Sequence, residues 1–434
     1  MNYKQIIYVS LISLLIIALV IIIFVYLPNN NIQNPDLMET SIHYVSHISD
    51  AHREVINRFN EKYKGRIQVE SIDLPFEKFS TNERKELLAR YLRSKSDRID
   101  VFTVDQIWVP RFTKWAITIG TYFPREEINR LQKSALQTCY FNDSLFAVPL
   151  YLDVAVMFYR KNLLLDIPGS SNVKQNLSKS ISWTDIIKLK ERMRNKEESI
   201  FLFPADSYEG LMCMFVEMME SQGMSLIKNG KLQLSSTEAY NSLALMVDLV
   251  NKYGITPKEV VNSKENEIYN FFLKNNILFL RGWPAFLTEY PKLGRENDFT
   301  NQIEMVPTPH FDPGKIVSCF GGWNLMISKF TPHVEEAIIF INYLLSEEAQ
   351  LIMYKKGGYI PIINVIYDGE SDERLQFYKQ LIRTGVHRPF LVNYTRISDI
   401  IVEFLNKAIK KELSVNQALK GAELKIYDEN IEIK

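Results

Sequence analysis

Residues 41–74 read SIHYVSHISDAHREVINRFNEKYKGRIQVESIDL. Within SIHYVSHI apolar and polar side chains alternate, the pattern of a strand with one buried face. In DAHREVINRFNEKYKG the residues Val55, Ile56, Phe59 and Tyr63 recur at helical spacing, and Gly65 stands just past the helix end that this spacing predicts. RIQVESIDL then alternates again. Strand, helix, strand is the unit that lets two parallel strands lie side by side, because the chain must travel back along the sheet between them. A charged helix over STNERKELLARYLRS and a third strand, RIDVFTVD, closing on Asp105, extend the alternation and predict an α/β sheet.

At 434 residues and 46% hydrophobic composition the chain exceeds what one ordinary domain holds, and two lobes are expected. Lysine plus arginine equals aspartate plus glutamate, 51 against 51. No net field therefore exists to gather nucleic acid or to coat an anionic membrane, and a neutral small molecule suits the balance best. Cys139, Cys213 and Cys319 lie far apart with no C-x-x-C pair. They make neither a zinc framework nor a disulfide framework; at most one bridge is possible, and three buried thiols are expected. His43 and His47 sit in a strand-like segment with no H-E-x-x-H pattern and no third ligand, so neither a metal nor another cofactor is expected.

From Ile6 to Leu27 the stretch IIYVSLISLLIIALVIIIFVYL runs about 22 residues without a charge, long enough to cross a bilayer core as a helix. Its exit, YLPNNNIQNPD, lacks the small-residue pair of a cleavage site, and no cysteine follows it for lipid attachment. Lys4 and the amino terminus keep the start cytoplasmic and send everything after Pro28 outside. Residues 1–27 are expected to form a single-pass transmembrane anchor or uncleaved signal, and 28–40 an Asn- and Pro-rich tether. The remainder is expected to lie outside the cytoplasm, in the periplasm or at the cell surface.

Beyond LFAVPLYLDVAVMFYR, which is apolar and strand-like, the chain turns to long helices: WTDIIKLKERMRN, EGLMCMFVEMMES and STEAYNSLALMVDLVNKYG. Strand character returns at NNILFLRGW, IEMVPTP and GWNLMISKF, so the chain is expected to cross between lobes more than once. The polar stretch from Gly169 to Ser182 reads as a surface loop. At 321–323 two glycines and a tryptophan precede a short alternating apolar run. Glycines at the mouth of a strand permit a close approach to the backbone, and the tryptophan beside them offers a platform.

Taken in order, several of these stretches resemble one family, the extracellular solute-binding proteins that deliver sugars to ABC importers, of the maltose- and trehalose-binding type. They are DVFTVDQIWVPRF, AVPLYLDVAVMFYRKNLL, SYEGLMCMFVEMMESQGMSLI, RGWPAFL, GGWNLMISKFTPHVEEAIIFINYLLSEEAQ, GGYIPIINVIYD and RPFLVNYTRISDIIVEFLNKAI. The resemblance runs from about residue 41 to the end. It implies a two-lobed periplasmic-binding-protein-like α/β fold of the maltose-binding (type II) kind, hinged between lobes. Residues 41–148 and 305–364 would form lobe 1, and 149–304 and 365–434 lobe 2. It also implies a non-enzymatic protein that captures a sugar, a di- or oligosaccharide, by lobe closure and delivers it to an ABC importer, its partners being that sugar, ABC permease subunits and, through the N-terminal helix, the membrane.

A sugar presents hydroxyl edges and a ring face of C–H groups. Carboxylates accept from the hydroxyls, arginine donates to ring oxygens, and aromatic planes cover the C–H face. The resemblance places Asp105, Asp153 and Glu209 as acceptors, Arg388 as donor, Tyr151, Trp283 and Trp323 as platforms, and Gly321 and Gly322 as room and backbone amides. Residue type alone also allows plainer roles. Asp105 and Glu209 both sit at helix starts, where a carboxylate is favoured anyway, and Arg388 could pair a carboxylate between lobes. Trp108 and Trp183 read as core. A platform role for Trp323 predicts that Trp323→Ala removes sugar binding and spares the apo fold. The family's G-G-Y-x-P-T-R appears as GGYIPII, without the arginine, so the sugar's identity is open. Two other readings remain: a ligand sensor of the same fold, and a glycoside hydrolase using Asp105 and Asp153 as acid and base.

Overall fold

A computed structural model of the protein describes residues 39–433, apart from 77, 96–97, 194, 196, 291–299 and 369–371. The chain opens with β1 (Thr40–Ser46), α1 (Asp50–Lys62), β2 (Ile67–Asp73), α2 (Thr81–Arg93) and β3 (Val101–Asp105). Each helix start carries its own signal. Ser49 caps α1 and Asp50 lies in its first turn, while Ser80 and Glu83 close a reciprocal capping box on α2. Val55, Ile56 and Phe59 turn inward, as their spacing requires. Strands β1 and β2 are parallel, with Thr40 opposite Ile67, and β3 lies parallel on the other side of β1.

Next come β4 (Val148–Val154) and β5 (Val156–Arg160), separated only by Ala155. They belong to different sheets, so the chain crosses there. A helix-rich stretch follows: α3 (Trp183–Arg192), β6 (Phe201–Leu202), α4 (Glu209–Ser221), α5 (Thr237–Asn251) and α6 (Glu265–Lys274). Strands β7 (Phe279–Gly282), β8 (Ile303–Val306) and β9 (Ser318–Ile327) come before α7 (Val334–Leu344), α8 (Glu347–Gly357), α9 (Glu373–Thr384), β10 (Gly385–Val386), α10 (Tyr394–Ile409) and α11 (Val415–Asp428).

Two sheets organise these elements. The first is 6-stranded, in the order β10-β9-β3-β1-β2, with β4 also pairing β9. The second is 4-stranded, in the order β8-β5-β7-β6. After the parallel opening, β9 returns antiparallel to β3 and to β4, and its register on β4 shifts between Trp323 and Asn324. Helix α1 packs with α8 beside the first sheet, and α4, α5, α10 and α11 pack together, with α4 also against β9.

Two expectations change. The glycines at 321 and 322 lie inside a ten-residue strand, β9, that is buried throughout, and not at its mouth. The polar stretch 169–182 contains a helix, Ser171–Leu177, rather than only loop, because Leu177 is buried and supplies an anchor that the polar composition hid. The expected anchor at 1–27 and nearly all of the tether lie outside the described residues. Among the described residues no helix is long and apolar enough to cross a membrane.

Candidate ligand-binding site

A cleft of about 350 Å³ opens between the two sheets, within the size range of small-molecule sites. The first sheet contributes Asp105 at the end of β3, Tyr151 and Asp153 on β4, and Gly321, Gly322 and Trp323 on β9. From the second sheet and its helices come Glu209 at the start of α4, Glu265 at the start of α6, and Trp283 just after β7. Arg388, Tyr359 and Glu289 complete the wall. Every site residue expected from the sequence therefore lines this one cleft.

Their environments differ sharply. Arg388 is buried and donates to Asp105 Oδ1 at 3.0 Å and to Glu209 Oε1 at 2.8 Å. Glu209 also accepts from the Tyr394 hydroxyl at 2.5 Å and the Ser398 hydroxyl at 2.6 Å. Asp105 accepts the Ile107 N–H at 3.2 Å, which is the helix-start role open to it from sequence. Burial pushes the Asp105 carboxyl up, and Arg388 beside it pulls the other way. Asp105, Arg388 and Glu209 thus form a closed ion cluster joining the end of β3 to the start of α4.

Asp153 is the opposite case. Its Oδ1 is shielded from solvent and has no hydrogen-bond partner among the described residues. Burial, then Glu289 and Asp105, hold its carboxyl well above the usual value. Glu289 itself accepts the Tyr359 hydroxyl and lies 3.5 Å from His47 Nε2. Tyr151 and Tyr359 pack with ring centroids 4.4 Å apart, forming an aromatic floor beside Asp153.

The glycines answer to steric demands inside the protein. A Cβ on Gly321 would meet Cζ3 and Cη2 of Trp283 at 3.0 and 3.2 Å. Gly322 has φ +131°, and a Cβ there would lie 2.7 Å from the Tyr151 carbonyl. Trp283 is fixed by its backbone N–H on the Tyr269 hydroxyl at 3.1 Å and by its indole N–H on Glu265 at 3.5 Å. Burial also raises the Glu265 carboxyl.

Trp323 is only 7% exposed. Its edge meets Trp108 and Phe76, and the Arg84 guanidinium sits 4.0 Å from its ring centroid. Arg84 lies equally close to Phe76, so the guanidinium is held between two rings. Its Nε and Nη1 have no partner among the described residues, and burial pushes its pKa down to about 10. Sequence reasoning missed Arg84. The signal was helical phase: Leu88 and Leu92 mark the buried face of α2, and Arg84 precedes Leu88 by one turn.

Cys139, Cys213 and Cys319 are buried free thiols. Among the described residues no group of three or more histidines, cysteines or carboxylates could hold a metal ion. His43 instead faces Glu70 and Asp100. The cleft thus joins an unpartnered acceptor, other carboxylates and several aromatic planes, an arrangement able to hold a hydroxyl-bearing ring by its edge and its face.

Comparison with known proteins is consistent with this geometry. The sequence pattern described as bacterial extracellular solute-binding protein matches residues 46–351. A probable ABC transporter-binding protein of Deinococcus radiodurans is 24% identical over 364 residues, covering 82% of this chain and 85% of the relative. The maltose-bound T. maritima MalE3 structure superposes with a TM-score of 0.81 at 24% identity, over 89% of this chain and 99% of that one. A solute-binding protein from Thermotoga lettingae bound with α-D-tagatose gives 0.77 at 20% identity, over 89% and 98%. At these identities the structural likeness is one of fold: two-lobed, α/β and maltose-binding-like.

Proposed function

The chain belongs to the bacterial extracellular solute-binding proteins, and from that premise we propose that it captures a sugar or polyol in the cleft and delivers it to an ABC importer. The observation that carries the choice of ligand is Asp153, which lines the cleft with Tyr151, Tyr359 and Trp283 and whose buried Oδ1 has no partner among the described residues. A buried acceptor left unmade is costly, and a ligand hydroxyl would satisfy it while the rings cover its C–H face. In this reading the lobes follow the two sheets, so β4 and β10 go with lobe 1 and β8 with lobe 2, a shift from the boundaries expected at 148/149, 304/305 and 364/365, and ligand bridging both favours the closed form that docks on permease subunits. Tyr151, Asp153, Trp283 and Trp323 make the ligand contacts. Asp105, Glu209 and Arg388 border the ligand and connect the lobes, and Gly321 and Gly322 make the room that Trp283 and the neighbouring strand need. Residues 1–27 anchor the domain to the membrane.

The related proteins described above include maltose- and tagatose-bound forms, which sets the first panel to try. Calorimetric titration of the full-length chain against maltose, trehalose, glucose, tagatose and ribitol, with product analysis afterwards, tests the reading. Saturable heat with intact sugar is expected. Cleavage of the sugar would make the protein an enzyme instead; no heat across the panel would remove the proposed ligand class.

A further inference from the structure

We propose that Cys213 and Cys319 are the two halves of a disulfide that ties α4 to the start of β9. The Cys319 thiol interacts with the Cys213 side chain and also donates to the Phe320 carbonyl at 3.6 Å. Cys213 is 2% exposed and Cys319 fully buried. The backbone around them is held in place independently: one turn beyond Cys213, Glu217 accepts the Cys319 N–H at 3.1 Å, and Arg281 fixes that carboxylate at 2.8 Å. Residues 213 and 217 share a helix face. The same contact that seats Glu217 on the Cys319 backbone therefore brings the helix face carrying Cys213 against the start of β9. Cys139 takes no part, since its thiol donates to Ala135 O in a separate segment.

The family works outside the cytoplasm, where thiol pairs are oxidised rather than kept reduced. The oxidant is a small or protein-borne disulfide. Cys213 lines the cleft and is the sulfur an oxidant meets first. Its thiolate attacks one sulfur of the oxidant, forming a mixed disulfide and releasing one thiol. Cys319 then loses its proton and attacks the Cys213 sulfur, forming the protein disulfide and releasing the second thiol. The protein gives up two protons and two electrons, and the oxidant takes them. The hydrogen bond to Cys213, together with burial, holds the Cys319 thiol well above its ordinary value, so the second step quickens as pH rises. The bond would fix the distance between the helix that begins at Glu209 and the strand that carries Gly321, Gly322 and Trp323, stiffening the junction between the two sheets.

The full-length chain is refolded from urea in a reduced and oxidised glutathione buffer, treated with N-ethylmaleimide in denaturant, and digested without reduction for mass spectrometry. The expected product is a peptide pair linked through Cys213 and Cys319, with Cys139 alkylated. Its melting temperature should exceed that of the dithiothreitol-treated protein by several degrees. Cys139→Ser should keep both the link and the difference; Cys213→Ser and Cys319→Ser should each remove them. Alkylation of all three cysteines, or a link through Cys139, overturns the proposal. A glutathione adduct left on Cys213 after long incubation at pH 8.5 also overturns it, because Cys319 would then have failed to reach its partner.

Discussion

The Arg84 guanidinium lies 4.0 Å from the ring centroid of Trp323, at a site with almost no solvent. Two effects compete there. Burying an ion costs several kcal/mol even after relaxation, whereas each cation–π contact returns about 0.5–2 kcal/mol. Arg84 has two such contacts, and two of its nitrogens have no partner among the described residues, so the balance is against the charge. Arg84→Met, which keeps the packing and removes the ion, should leave apo stability unchanged or raise it by about 1 kcal/mol in urea denaturation. A fall of more than about 2 kcal/mol would mean that the attraction wins.

Arg388 is the reverse, a buried cation with both partners present. Arg388→Met leaves Asp105 and Glu209 facing each other, and should cost about 3–5 kcal/mol. The loss should be largest at high pH. Without Arg388 the Asp105 carboxyl rises further above its model-peptide value of 3.8. A folded-state value that is raised leaves stability intact below 3.8 and removes it as pH climbs through the folded value. Urea midpoints at pH 5 and pH 8 test this; equal losses at both would show that Asp105 does not respond to Arg388.

Asp153 gives a pH signature of its own. Its carboxyl is raised well above 3.8 in the folded protein, so its contribution to apo stability is present at low pH and declines as pH rises from that value. Asp153→Asn should therefore melt higher than wild type at pH 7, with the gap closing toward pH 4. Binding should move the other way, with sugar affinity falling by about tenfold as the carboxyl's hydrogen bond to a ligand hydroxyl is lost. A variant that melts lower at pH 7 would show that Asp153 already has a partner.

Much of this was legible in the sequence. Helical spacing gave α1, the charged stretch from Ser80 gave α2, and Asp105 was placed at its strand end. What local pattern does not carry is which groups face each other across the cleft. Arg388 and Glu209 are separated by 179 positions, and nothing near either residue says that they pair. The glycines were half legible for a related reason. Their local signal is a request for space, but the groups that fill it, Trp283 beside Gly321 and the Tyr151 carbonyl beside Gly322, lie on other segments. Arg84 was hidden because charge on a helix ordinarily means solvent, and only the phase set by Leu88 and Leu92 argues otherwise.

Trp323 is where the two lines of reasoning give different numbers. An exposed sugar platform could be cut to alanine at little cost to the apo protein, but Trp323 is 7% exposed and packs on Trp108, Phe76 and Arg84. Truncating a buried tryptophan costs about 3–5 kcal/mol. Trp323→Ala should thus destabilise the apo protein strongly, and lost binding in that variant would say nothing about ligand contact. Trp323→Phe separates the roles, because it retains an aromatic face toward the cleft and most of the buried area. Its apo stability should fall by less than half as much as that of the alanine variant, with sugar binding weakened and still saturable. If the phenylalanine variant binds as wild type does, the indole is a wall of the cleft whose work is packing; if it folds normally and binds nothing, the indole itself contacts the ligand.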